Sequence, residues 1–272
     1  MSVAICSALV RPEERGEKVA NNPSTHTIFY GDSGAGKSTG ASTYPKPMLV
    51  FMFDPFSKDM PYLKRGEPSE LLYDDLGTPF RQVVSRKTGN VIIQVEYFID
   101  SDPAKPEGYQ RFLKRMARFQ GDEYLNWKTV VADSVTFMEL ASRKNHQYKL
   151  NKTAKDSRQW YGGSKEDLEE MLMIRFGSLP MNVVVLAHVS EDKDELHGTF
   201  VRHPAGVGKL GKQLPAGYGE LYRAYVKREE AEHIYLWQTR SDNMWACSSQ
   251  IDAPEPCVQH YSALWGESGQ AG

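Results

Sequence analysis

The stretch "TIFYGDSGAGKSTG", residues 27 to 40, constrains this chain more than any other. An apolar run leads into a glycine-rich turn, then a lysine and two hydroxyl residues. Gly31, Gly36, Lys37 and Ser38 occupy every fixed position of the pattern G-x-x-x-x-G-K-[ST]. Glycines let the backbone curl so that successive N–H groups point into one concavity, and a following helix adds its positive end. Gly31, Asp32, Ser33, Gly34, Ala35, Gly36, Lys37, Ser38 and Thr39 would form such a phosphate grip. Lys37 would reach the β- and γ-phosphates and the Ser38 hydroxyl would ligate Mg²⁺, so ATP and Mg²⁺ are the expected ligands. The alternative is a chance glycine-rich turn. Context argues against it, because "HTIFY" reads as a buried strand and the residues up to Pro45 as a short helix.

Further apolar runs of strand length are "PMLVFMFD", "KTVVADS" and "NVVVLAH". The last is apolar throughout, as in strands covered on both faces. "PEGYQRFLKRMARF" has helical spacing, with Phe112, Met116 and Phe119 on one side. "RQVVSRKTGNVIIQVEYF" and "LYRAYVKREEAEHIYLWQTR" read as hairpins, the first turning at Gly89. Ser164 reads as the start of a helix, with Asp167 as its capping-box partner. Residues 196 to 220, rich in glycine and proline, read as loop. Alternating strands and helices predict an α/β fold, a mostly parallel central sheet flanked by helices with hairpins at its edge. The expected division is a loosely ordered leader over 1–24, one domain over 25–251, and a fraying tail over 252–272.

A phosphate loop needs an acidic partner to hold the metal's water shell. Asp133 ends the apolar run "TVVAD" and fits that place, although strand-end aspartates commonly serve as turn formers or caps. His188 ends "VVVLAH". Ligands gather at the carboxyl ends of parallel strands, so this histidine is a candidate γ-phosphate sensor, the bland alternative being a satisfied core histidine. Asp54, Asp59, Glu96 and Glu139 are candidates for the base that orients water, and Asp54, at a strand end, is preferred. Tyr62 is a candidate for stacking on adenine, with core packing the more ordinary fate.

The formal net charge is −2, so no global basic field attracts nucleic acid, and contact must come from a local patch. "RKNHQYKLNKTAKDSRQWY" supplies one. Arg143, Lys144, Lys149, Lys152, Lys155 and Arg158 stand against the single acid Asp156, interleaved with Tyr148, Trp160 and Tyr161. Cationic grooves with aromatic platforms bind single strands, while charge runs are usually solvated faces. The three cysteines show no metal or redox spacing, and no apolar run reaches the ~18 residues of a membrane span. A cytoplasmic protein without membrane contact is expected.

The succession "GDSGAGKST", "TVVADSVTFME", "LPMNVVVLAH", "LGKQLPAGYGELYRAYV" and "YLWQTRSDN" resembles RecA-like ATPases of bacteriophages. More narrowly it is similar to core-only phage nucleotide-binding relatives of RecA, some of which anneal single strands. The resemblance runs from about residue 25 to 245. It implies an ATP-hydrolysing RecA-type core that assembles on single-stranded DNA, in recombination or replication, within the host cytoplasm. It also implies a ring or filament with ATP between subunits, and a single-strand DNA-binding protein as a further partner. Basic residues from a neighbouring subunit would complete the site, and Arg202, Lys209 and Lys212 are the candidates. One departure stands out. RecA-like enzymes usually carry a glutamate just after the second strand, where this chain has Asp54 and Phe56. A packaging-motor or helicase-loader ATPase acting on a protein partner is the alternative.

Overall fold

The computed structural model describes residues 24–55, 58–102, 104–121, 123–153, 155–193, 200–206, 210–229 and 232–266. In chain order the elements are β1 (His26–Tyr30), α1 (Lys37–Ala41), β2 (Met48–Met52), α2 (Met60–Leu63), β3 (Glu67–Pro68), β4 (Leu72–Tyr73), β5 (Pro79–Val84), β6 (Val91–Tyr97) and α3 (Gly108–Phe119). There follow β7 (Thr129–Asp133), α4 (Val135–Asn145), α5 (Arg158–Glu169), β8 (Asn182–Ala187), β9 (Val189–Lys193), β10 (Phe200–Pro204), α6 (Leu210–Gln213), β11 (Glu220–Glu229), β12 (Glu232–Gln238), β13 (Cys257–Val258) and α7 (Tyr261–Trp265). π-helical turns extend α4 through His146–Leu150 and α5 through Glu170–Phe176.

One sheet runs β13-β12-β11-β1-β8-β7-β2-β6-β5-β3, with β4 also on β5. From β11 to β6 every pairing is parallel, and antiparallel strands extend both edges. This is the fold expected of a RecA-like P-loop NTPase. Strands β2 and β7 are buried at every residue because helices cover both faces. On one face α3 presents Tyr109, Phe112, Met116 and Phe119, spaced at three and four residues so that all face the sheet. Phe112 meets Phe51 edge-on at 5.4 Å, and truncating it to alanine would cost about 3–5 kcal/mol. On the other face α1 packs near Phe29, which stacks on Trp237 at 4.5 Å. Among the described residues no helix is long and apolar enough to cross a membrane.

Three expectations change. Ser164 lies within α5 and donates to the Glu139 carbonyl at 3.3 Å, while Asp167 accepts from Ser142 and bonds the His146 ring. The helix begins one and a half turns earlier, at Arg158, after an Asx turn in which Asp156 Oδ1 accepts the Arg158 amide at 2.9 Å. The glycine-rich 196–220 stretch holds β10, α6 and a 3₁₀ turn, since β10 finds a partner in β9. The tail's described part, residues 252–266, is held in place: β13 pairs with β12, and α7 packs Tyr261 on Tyr44. Leader residues 1–23 lie outside the described residues.

Candidate functional site

The strand order brings the carboxyl ends of β1, β8, β7 and β2 side by side, with Tyr30 opposite Ala187, Asp133 opposite Leu186 and Met52 opposite Asp133. The glycine loop, His188, Asp133 and Asp54 therefore emerge along one edge. They line a cavity of about 360 Å³ together with Lys58, Pro61, Ser134 and Tyr235. A second cavity, about 380 Å³, lies around Thr239, Ser241 and Ser248. It contains no residue of the glycine loop and no carboxylate, so the chemistry favours the first.

Contact forces glycine at two positions of the loop, Gly31 and Gly36. A Cβ on Gly31 would sit 2.3 Å from the Ala224 carbonyl oxygen. Gly36 has φ +86°, and a Cβ there would strike Gln259 Oε1 at 2.3 Å and Tyr235 Cδ1 at 2.6 Å. Lys37 Nζ donates to the carbonyls of Gly31 at 2.7 Å and Asp32 at 2.8 Å, folding back over its own loop. Burial lowers this ammonium's pKa, and Asp133 and Asp54 pull it back up.

Asp133 Oδ2 accepts hydrogen bonds from Ser38 Oγ and from the Tyr62 hydroxyl, each at 2.8 Å. Its carboxyl is pushed up to about 6, first by burial and then by the neighbouring Asp54, against the two hydroxyl donors and Lys37. Asp54 is buried, and its Oδ1 accepts from Ser134 Oγ at 2.6 Å. His188 is held by its amide, which donates to Thr136 Oγ1 at 3.3 Å, and its ring lies edge-on to Phe137. Burial, then Lys37, lowers the imidazole pKa and favours the neutral ring.

Of the other base candidates, none lines the cavity. Asp59 bonds the Tyr97 hydroxyl and Glu96 is paired with Arg115 at 2.9 Å, while Glu139 lies on α4 beside α5. Tyr62 is fully buried, with its hydroxyl on Asp133, so it has no free face for a base. Arg202 pairs with Glu191 of its own chain at 2.7 Å and lies over Trp245, and Lys212 pairs with Asp192 at 2.6 Å. Lys209 lies outside the described residues.

The basic stretch reaches the same end of the sheet. Lys149 Nζ donates to Gln110 Oε1 at 3.2 Å, and α3 starts there, its Gly108 amide on Asp100 just past β6. Lys152 and Lys155 are exposed. Arg143 stacks on Tyr161 and Lys144 lies over Tyr148. Arg158 turns back to Asp156, and Trp160 Nε1 donates to the Asn151 carbonyl. Sequence reasoning missed Tyr235, Lys58 and Gln259. Tyr235 sits two residues before buried Trp237, so strand alternation alone puts both on the loop's side of β12.

The family described as AAA domain matches residues 25–246. The chain belongs to the AAA-domain family. This AAA-domain protein is a P-loop ATPase. No curated protein matches the sequence. A KaiC-like protein from the hyperthermophilic archaeon Pyrococcus horikoshii OT3 is 12% identical, with 85% of this chain and 83% of that one covered and a TM-score of 0.41. A prototypical ATPase from the type III secretion system of pathogenic bacteria is 14% identical over 74% of this chain and 52% of that one, with a TM-score of 0.46. The flagellar accessory protein FlaH from Methanocaldococcus jannaschii is 12% identical over 79% and 78%, with a TM-score of 0.38. These are distant likenesses, and the AAA-domain chain spans about half the length of the second.

Proposed function

We propose that this ATPase binds Mg²⁺–ATP in the cavity at the carboxyl ends of β1, β8, β7 and β2, and uses it to act on single-stranded DNA. The observation that carries the nucleotide half is the Ser38–Asp133 contact at 2.8 Å beneath Lys37. A hydroxyl and a carboxylate at one point are what a Mg²⁺ ion bound chiefly through substrate phosphates requires. Ser38 and Asp133 would hold Mg²⁺, which when bound neutralises charge on the phosphate oxygens. The loop from Gly31 to Thr39 would hold the phosphates, with Lys37 leaving its carbonyls for the β- and γ-phosphates. Tyr235, 46% exposed on the cavity rim, offers a ring face to the base.

Hydrolysis needs water aligned with the γ-phosphorus. Its oxygen bonds to phosphorus as the bond to the β–γ bridging oxygen breaks, the electron pair leaves on ADP, and a proton passes to a base. Asp54 is the candidate, since Ser134 occupies Oδ1 and leaves Oδ2 for water. Neutral His188 would donate to the γ-phosphate. ATP between subunits of a ring or filament fits a cavity at the sheet edge, but Arg202 and Lys212 would first have to leave Glu191 and Asp192.

The DNA half rests on the exposed Lys152 and Lys155, with Lys149 and the Tyr148 and Tyr161 rings, at the cavity's end of the sheet. A role in phage recombination or replication, alongside a single-strand DNA-binding protein, follows from the resemblance. Fluorescence anisotropy of a labelled single-stranded oligonucleotide tests it. Replacing Lys149, Lys152 and Lys155 by alanine should flatten the salt dependence by about 2 in log–log slope, at about 0.7 per phosphate. Oligonucleotide binding that is absent at low salt contradicts the DNA reading and favours a protein partner.

A further inference from the structure

We infer that residues 253–265 form a strap that holds the phosphate loop in its anion-binding shape, with Gln259 as the positioning residue. The inference rests on the reading that this loop takes the nucleotide's phosphates. The strap lies beyond residue 246, where the AAA-domain match ends. Its start is anchored at the end of β12, where Thr239 Oγ1 lies 2.9 Å from the Pro254 carbonyl oxygen and 2.7 Å from Glu255 Oε2 and shares its one proton between them. It then runs back along β12 as β13, and the Gln259 amide donates to the Tyr235 carbonyl at 3.2 Å.

The Gln259 side chain spans from sheet to loop. Its Nε2 donates to the Leu236 carbonyl at 2.9 Å and to the Ala35 carbonyl at 2.8 Å, a contact across 224 residues of sequence. Both of its N–H groups are thereby used. Beyond it, the Tyr261 amide donates to Thr43 Oγ1 at 2.8 Å, and Tyr261 packs on Tyr44 at 4.9 Å. The strap thus grips the segment on both sides of α1.

The Ala35 bond matters because of peptide geometry. The Ala35 carbonyl and the Gly36 N–H belong to one planar trans peptide and point in opposite directions. Gln259 does not line the cavity, so pinning the carbonyl toward it aims the Gly36 N–H toward the phosphate side. Were this peptide to rotate, an oxygen would face the phosphates in place of a donor. Gly36 lacks a side chain to resist such rotation, and the grip depends on converging N–H groups.

The test is titration with a fluorescent ATP analogue and Mg²⁺, alongside thermal melts, for wild type, Lys37→Ala and Gln259→Met. Methionine keeps the length and removes the donors. Gln259→Met should raise Kd and KM about tenfold, equal to about 1.4 kcal/mol, while kcat at saturation changes little. The melting temperature without nucleotide should fall only by a few degrees, as the Leu236 and Ala35 carbonyls lose their donor. Hydrogen exchange of the wild type gives a reading without mutation: nucleotide should slow exchange in residues 257–261 as well as in the loop. Kd within twofold of wild type, or affinity lost only in step with folded protein, overturns the inference. So does nucleotide that protects the loop and leaves 257–261 unchanged. A wild type that binds no nucleotide overturns both the strap and the nucleotide reading, whereas binding lost in Lys37→Ala but kept in Gln259→Met overturns the strap alone.

Discussion

Ser38 Oγ and Asp133 Oδ2 lie 2.8 Å apart although 95 residues separate them in the chain. The contact exists because β8 sits between β1 and β7, so the loop leaving β1 can lean across the end of β8. Tyr62 donates to the same oxygen from α2. Two hydroxyls on one carboxylate do not offset its burial beside Asp54, and the result is a carboxyl that ionises at higher pH than a free one.

Asp133→Asn should therefore stabilise the nucleotide-free protein while abolishing Mg²⁺-dependent hydrolysis. The folded carboxyl is raised to about 6 from an unfolded value of about 3.9, so the stability it contributes is present below about pH 4 and lost as pH rises through 6. At pH 7.5 the variant should be more stable by about 1–3 kcal/mol. Thermal melts at pH 5 and 7.5 check this, the difference between variant and wild type shrinking at pH 5.

Lys37→Ala should weaken ATP about 10- to 100-fold, the worth of a charge-assisted hydrogen bond to phosphate. The fold should survive, because Lys37 bonds only two carbonyls of its own loop, those of Gly31 and Asp32, and no core element. Calorimetric titration with ATP and circular dichroism of the same sample measure both halves.

Tyr235→Ala should raise the Kd for ATP about 3- to 10-fold and Tyr235→Phe should not, because a ring face is what a base stacks on. Competition among ATP, GTP and inorganic triphosphate separates base from phosphate contributions: triphosphate binding should be indifferent to either substitution.

How much of this was legible in the sequence depended on range. The loop, Asp133 and His188 could be read because each follows an apolar run, and strand ends at one sheet edge converge whatever lies between. Tyr62 and Gln259 could not. Tyr62 reaches Asp133 from a four-residue helix whose position depends on tertiary packing, and Gln259 meets the loop only through an antiparallel strand of two residues. Ser164 misled because a serine with an acid three residues later looks the same inside a helix as at its start. The β9–β10 pair was hidden by glycine and proline in the segment joining it to β11.

His188→Ala should lower kcat about 10- to 100-fold with Kd for ATP within threefold, if its neutral imidazole acts chiefly as the phosphate turns over. Steady-state kinetics beside equilibrium titration separates the two quantities. The fall should be the same from neutral pH upward, because burial lowers the wild-type His188 pKa and keeps the ring neutral there.

The most direct measurement is phosphate release from Mg²⁺–ATP with and without single-stranded oligonucleotide, for wild type, Lys37→Ala and the Lys149/Lys152/Lys155 alanine triple variant. The account predicts hydrolysis that the oligonucleotide stimulates severalfold, none in Lys37→Ala, and unstimulated basal hydrolysis in the triple variant. Hydrolysis undiminished in Lys37→Ala, or a wild-type rate that oligonucleotide leaves unchanged at low salt, would contradict it.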